Sequence, residues 1–121
     1  MPQLSVHPYF LAIAPRELSE VERATVERLL VKAPEFAGEL SRLKVVGRCG
    51  CGACPTVFFR EASSRDEWDV AHSVGQERNG GITGVVLMAS SEGLSQLEFY
   101  SLDGHDPWGL PEVSSLEPTA A

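Results

Sequence analysis

The chain has 121 residues, a length typical of one domain, and we expect residues 1–121 to form a single domain with its own core. Apolar residues make up 43% of the sequence and charged residues 22%, which is typical of a globular protein. The formal net charge of -7 argues against nucleic acid as a partner, because such binding needs a basic surface. The same charge disfavours docking on an anionic membrane.

No stretch of the sequence approaches the roughly 20 apolar residues of a membrane-spanning helix. The apolar run at residues 9–14 is too short for the core of a signal peptide, and no Lys or Arg precedes Arg16. The three cysteines are an odd number, so they cannot all pair in disulfides. We therefore expect a cytoplasmic protein whose thiols are reduced.

The first third of the chain, about residues 7–42, has the pattern of helices. Ser19 followed by Glu22 fits a capping box, and apolar residues recur at helical spacing from residue 21 to residue 30. Pro34 is expected to end that helix, because the residue before a proline disfavours helical backbone angles. A second short helix is predicted over residues 35–42, weakened by Gly38.

Residues 43–102 have the pattern of an antiparallel sheet. The predicted strands are, in chain order, residues 45–46, 56–60, 68–74, 82–88 and 94–101. The first two form a hairpin with the cysteines at its tip, and the last two form a hairpin through a turn at residues 90–93. Residues 103–121 are expected to be an irregular tail with a frayed end. The fold class is thus α+β, with N-terminal helices packed on one face of an antiparallel sheet of about five strands.

All three cysteines lie within six residues, as Cys49, Cys51 and Cys54, interleaved with glycines. Glycines allow a loop to wrap around a metal ion, and thiolates are soft ligands that suit zinc. A structural zinc site takes four protein ligands, so the fourth ligand would be His72 or His105, with His7 or a carboxylate as further candidates. The expectation is therefore that no cofactor is bound, with zinc at this cluster as the alternative.

Two other interpretations of the cysteines stay open. Cys51 and Cys54 have the C-x-x-C spacing of thiol redox motifs, but those motifs begin a helix, and here a predicted strand follows. The cluster also fits a tight hairpin turn in which cysteines pack as small apolar residues. The first interpretation predicts redox chemistry, and the second predicts a purely structural turn.

Other side chains give weaker signals for a site. His105 lies between Asp103 and Asp106 and close to Trp108, a set that resembles a hydrolytic site but is equally typical of a surface loop. The aromatic residues Trp68, Trp108, Phe99 and Tyr100 are candidates either for a recognition surface or for the core. No set of residues predicts a catalytic centre.

Two segments of the chain resemble a family of small uncharacterised bacterial proteins. The first is V-V-G-R-C-G-C-G at residues 45–52, followed by P-T-V at 55–57, and the second is G-L-S-Q-L-E-F-Y-S at 93–101. The resemblance implies no established activity. In that family the third cysteine follows the second by two positions, whereas here Cys54 follows Cys51 by three.

From these observations the first functional hypothesis is a non-enzymatic domain that binds another protein. Negative charge and an aromatic sheet favour a basic partner, bound in the manner of an immunity or inhibitor protein. A small zinc-binding protein is the alternative, and a thiol redox protein is the second alternative. A homodimer is a further expectation, if the final hairpin lies at the edge of the sheet.

Overall fold

The structure of the protein is a computed structural model that describes residues 10–51, 54–61, 66–103 and 109–120. The fold is α+β: one antiparallel sheet of seven strands with two helices packed on it. The strands are β1 (Phe10–Arg16), β2 (Val45–Cys49), β3 (Val57–Phe58), β4 (Trp68–Gln76), β5 (Ile82–Ser90), β6 (Gly93–Ser101) and β7 (Thr119–Ala120). In the described residues the two helices that pack on the sheet are α1 (Glu20–Leu30) and a 3₁₀ helix at Pro34–Arg42, and a short 3₁₀ helix lies at Val113–Ser115.

Helix α1 begins where its capping box predicts. The Ser19 hydroxyl accepts a hydrogen bond from the Glu22 amide at 3.1 Å, and the Glu22 carboxylate accepts one from the Ser19 amide at 2.8 Å. The predicted second helix is a 3₁₀ helix, and Pro34 is its first residue. In the described parts of the chain, no helix has the length and apolar character needed to cross a membrane.

The prediction that the helices are N-terminal is wrong, because β1 precedes α1. Residues 10–16 were assigned to the helical part, but they pair with β2 along the edge of the sheet. A short apolar run does not distinguish a buried helix from a strand by its periodicity, and the pairing partners lie 29 to 39 residues away in sequence. The strand therefore depends on a contact that the local sequence does not reveal.

The sheet order is β1-β2-β3-β6-β5-β4-β7, so seven strands replace the predicted five. The five predicted strands correspond to β2 through β6, and both predicted hairpins are present. The final hairpin, β5–β6, lies in the interior of the sheet and is not the edge on which we based the expectation of a homodimer. The edges are β1 and β7.

The core lies between the helices and one face of the sheet. Helix α1 contributes Val26, Leu29 and Leu30, and the partly buried Phe36 and Leu40 of the first 3₁₀ helix pack against the same cluster. Side chains alternate between faces along a strand, so the residues between the core positions project from the opposite side, which we call the outer face. The sheet contributes Val45, Val57, Phe59, Val70, Ala71, Val85, Leu87, Ala89, Leu94, Leu97 and Phe99 to the core.

Residues 109–112 and 116–118 are irregular as predicted, but the segment also contains the 3₁₀ helix Val113–Ser115 and β7, and it is not frayed. The Glu112 amide donates to the Gln76 carbonyl at 2.8 Å, and Glu117 donates to the Ser73 hydroxyl at 2.9 Å. Leu116 is fully buried in the core, and Thr119–Ala120 pair with β4 as β7. The segment is short and polar, so its own sequence resembles a tail, although contacts with β4 hold it in place.

The close contact between Gly84 and Tyr100 on the outer face gives a first prediction. These residues lie directly opposite each other on β5 and β6, and a Cβ atom at Gly84 would lie less than 3.0 Å from three atoms of the Tyr100 side chain. Gly84→Ala is therefore expected to lower the free energy of unfolding by about 1–3 kcal/mol, measured by urea denaturation. Gly38→Ala is the matched control, because a Cβ there meets nothing within 4 Å. Equal effects of the two substitutions would contradict this account of the packing.

Candidate metal centre

The three cysteines lie at the turn between β2 and β3, as the sequence predicts. Cys49 is the last residue of β2, and its amide donates a hydrogen bond to the Thr56 carbonyl at 3.2 Å. The chain turns at Gly50 and Cys51 and returns through Cys54 toward β3. The antiparallel pairing of β2 with β3 thus fixes both ends of the turn that carries the thiols.

The turn brings the three thiols together. The three Sγ atoms all lie within 4.8 Å of one another, and the Sγ atoms of Cys51 and Cys54 are 3.4 Å apart. The Cys54 amide donates a hydrogen bond to the sulfur of Cys51 at 3.3 Å, and none of the three cysteines is in a disulfide. Cys49 is buried, Cys54 is half-buried and Cys51 is exposed, so the cluster reaches from the protein interior to its surface.

The surroundings of Cys49 favour its neutral thiol. Burial is the main cause that raises the pKa of Cys49, and the neighbouring thiols of Cys51 and Cys54 also raise it. A hydrogen bond from the Cys51 backbone lowers it, and together these causes bring the pKa of Cys49 to about 12. Burial and the adjacent sulfurs both disfavour the thiolate. A cation placed among the sulfurs would reverse this effect, because a metal ion deprotonates the thiols that coordinate it.

The pKa of Cys49 predicts how the stability of the metal-free protein depends on pH. The folded-state pKa of about 12 exceeds the ordinary value of 9.0, so the folded protein keeps a proton that the unfolded chain loses in this window. The contribution to the free energy of unfolding is fully present below pH 9.0 and is lost as pH rises toward 12. Urea denaturation across this range should show the loss in the native protein and in Cys51→Ala. The loss should be smaller in Cys49→Ala; an unchanged loss there would contradict the assignment.

The histidines predicted as fourth ligands are not brought to the thiols by any described contact. His72 is exposed on β4, where the Thr119 hydroxyl lies 3.2 Å from its ring nitrogens. Strands β3, β6 and β5 lie between β4 and the strand of Cys49, and four strand spacings correspond to about 19 Å. His7 and His105 lie outside the described residues, so their predicted roles stay predictions.

The turn differs from the setting of a thiol redox motif. Such a motif places its first cysteine at a helix N-terminus, which favours the thiolate. Within the described ranges the helices begin at Glu20, Pro34 and Val113, and the chain after Cys54 enters β3. The short distance between the sulfurs of Cys51 and Cys54 suits a disulfide as well as a metal, so the redox hypothesis stays a prediction.

A charged cleft of about 430 Å³ lies between the first 3₁₀ helix and the β2–β3 hairpin and was not predicted from the sequence. Leu43, Val46 and Phe59 line it together with charged residues on its rim. The charged residues already have partners in part: the Glu39 carboxylate accepts from the Leu94 amide at 2.8 Å, and Arg60 donates to the Leu94 carbonyl at 3.1 Å. The residues that line the cleft come from three separate segments of the chain, so no local sequence pattern predicts it.

The aromatic residues divide between core and surface. Phe99 is 2% exposed and belongs to the core, whereas Trp68 is 49% exposed and Tyr100 is 38% exposed. Tyr100 lies in one row with Gly84 and Val74 across β6, β5 and β4, and Val74 is 51% exposed. The outer face therefore presents an apolar surface at this row, while Trp108 lies outside the described residues.

The resemblance to a family of small bacterial proteins stays a prediction. The fold and the thiol cluster consequently carry the functional argument by themselves. A comparison of the chain with protein-family models, with curated proteins and with solved structures finds no match.

Proposed function

We propose that the protein binds a soft metal ion such as zinc or Cu(I) through Cys49, Cys51 and Cys54. The observation that carries the proposal is the convergence of three Sγ atoms within 4.8 Å on one turn. Thiolate sulfur selects zinc and Cu(I) over hard cations such as magnesium and calcium. All three cysteines of the sequence lie in this turn, so the thiol ligands are gathered in one place.

The distances between the sulfurs suit a common metal ion. Zinc–sulfur bonds are about 2.3 Å long, which puts two sulfurs of a tetrahedral site roughly 3.8 Å apart. The separation of 3.4 Å between the Sγ atoms of Cys51 and Cys54 lies just below this value, and the limit of 4.8 Å for the cluster lies above it. Small rotations of the side chains therefore suffice for binding, and the exposure of Cys51 gives an ion a path to the site.

Elemental analysis of the untagged full chain tests this proposal. We expect about one equivalent of a soft metal per chain after equilibration with zinc or with Ag(I) and removal of the excess, because a tight site retains its metal. The variant with all three cysteines replaced by serine is the control and should retain none. A native protein that retains less than about a tenth of an equivalent of any soft metal would contradict the proposal.

A second candidate function is protein binding, as the sequence suggested. Eleven of the 17 acidic residues follow residue 60, where only two of the ten Lys and Arg residues occur. The exposed Val74 and Tyr100 on the outer face belong to this acidic half. An apolar patch surrounded by acidic residues suits a basic protein partner. The chain would then act as an immunity or inhibitor protein and bind that basic partner.

The second candidate is tested by paired substitutions of exposed valines. Val74 lies on the outer face, and Val31, which is 70% exposed, lies just after α1. A basic protein recovered with the native chain should be lost with Val74→Lys and kept with Val31→Lys, because only the first places a positive charge in the proposed interface. Recovery that is equal for both variants would remove the outer face as the binding surface.

A further inference from the structure

We infer that the thiol cluster is a three-coordinate site that takes a monovalent soft ion of the Cu(I) class in preference to zinc. This inference rests on the proposed function, because it names the ion for the same site. Zinc and Cu(I) both accept thiolate ligands, but they differ in the number and kind of donors that they require. The donors around the turn therefore decide between them.

The first argument is the number of donors. In the described part of the chain, the group able to hold a metal consists of Cys49, Cys51 and Cys54. A structural zinc site takes four protein ligands in a tetrahedron, whereas three thiolates satisfy a Cu(I) ion in a trigonal arrangement. Three sulfurs within 4.8 Å of one another can surround an ion that lies in their plane, which is the trigonal arrangement.

The second argument is the character of the groups beside Cys49. Its neighbours across the strands are Phe10 on β1 and Thr56 before β3. Phe10 packs edge-on against Phe58 with ring centroids 5.2 Å apart, so an aromatic pair joins the two strands that flank β2. The Thr56 hydroxyl accepts from the Phe99 amide at 2.9 Å and is 5% exposed, so it is committed to the sheet. Neither neighbour supplies a hard donor or the hydrogen-bonded imidazole that zinc ligation commonly uses.

The third argument is the depth of the site. Cys49 is buried and Cys51 is at the surface, so an ion would be enclosed beside Cys49 and reachable beside Cys51. Zinc with three protein ligands needs a water or substrate in its fourth position, and here that extra ligand would have to enter on the side of Cys51. A three-coordinate Cu(I) ion has no such requirement, and its oxidation state does not change on binding.

An anaerobic competition experiment on the full chain tests the inference. Cu(I) is supplied as its acetonitrile complex and competed with bicinchoninate, zinc is competed with a chromophoric chelator, and Ag(I) serves as a redox-inert analogue. We expect one Cu(I) or Ag(I) per chain, bound at least about 100-fold more tightly than zinc. X-ray absorption at the copper edge should show three sulfur ligands and no nitrogen or oxygen ligand.

Variants separate the possible results. Cys51→Ser should abolish tight Cu(I) binding, whereas His72→Ala and His105→Ala should leave the affinity unchanged. Zinc bound as tightly as Cu(I), or a nitrogen or oxygen ligand on the copper, overturns the inference and leaves the proposed metal-binding function standing. A tenfold loss of affinity in His105→Ala also overturns it, because it identifies a fourth ligand. Binding of neither ion, by a chain that circular dichroism shows to be folded, overturns both.

Discussion

Replacing Cys51 or Cys54 with serine is expected to weaken metal binding by more than about 100-fold. The loss of a group that only orients a ligand commonly costs 10- to 100-fold in affinity, so the loss of a ligand should cost more. The two sulfurs lie 3.4 Å apart, and removing either leaves at most two thiols in the cluster. Isothermal titration with zinc and with Ag(I) gives the affinities. Thermal unfolding without metal shows whether each variant remains folded, and the exposure of Cys51 makes its variant the less disruptive of the two.

The controls for this prediction are the histidines. His72→Ala should bind metal as the native protein does, because three strands separate β4 from β2. His105→Ala and His7→Ala test the other two residues that the sequence suggested. The prediction fails if Cys51→Ser and His72→Ala have the same affinity, because the cluster would then contribute no more than a distant surface residue.

The site could be predicted from the sequence only in its local part. The cysteines span six residues at the end of a strand that turns back into the next one, and such a tight turn brings Cys49, Cys51 and Cys54 together whatever the rest of the fold. The burial of Cys49 and the distance of His72 depend on the order of the strands. The strand order follows from pairings between residues far apart in sequence, and the spacing of apolar residues along the chain does not predict it.

The fold shows the same division between local and distant signals. The cap at Ser19 and the turn at residues 90–93 rest on contacts within four residues, and both were predicted. Strand β1 pairs with β2, and β7 pairs with β4, across long stretches of sequence. A two-residue strand such as Thr119–Ala120 has no periodicity of its own, so only the edge of β4 specifies it. Tertiary contacts, rather than propensity, thus decided the elements that the sequence missed.

Leu116→Ala is expected to lower the free energy of unfolding by about 2–5 kcal/mol, the range for a leucine removed from a well-packed core. Leu116 is 0% exposed, and its side chain lies against Gly75 so closely that a Cβ there would overlap it. Arg28 of α1 donates a hydrogen bond to the Leu116 carbonyl at 3.0 Å, so the residue joins the helix to the C-terminal segment. Urea denaturation followed by circular dichroism measures the change.

Leu102→Ala is the matched control, because Leu102 has the same side chain and is 51% exposed. Its effect should stay within about 0.5 kcal/mol, as for most surface substitutions. If Leu116→Ala and Leu102→Ala changed stability equally, residues 109–120 would behave as the tail that their composition suggests. A large effect of Leu116→Ala alone means instead that this segment closes the core beside β4. Removing residues 109–121 should then destabilise the protein at least as much as Leu116→Ala does, because truncation also removes the hydrogen bonds to Gln76 and Ser73.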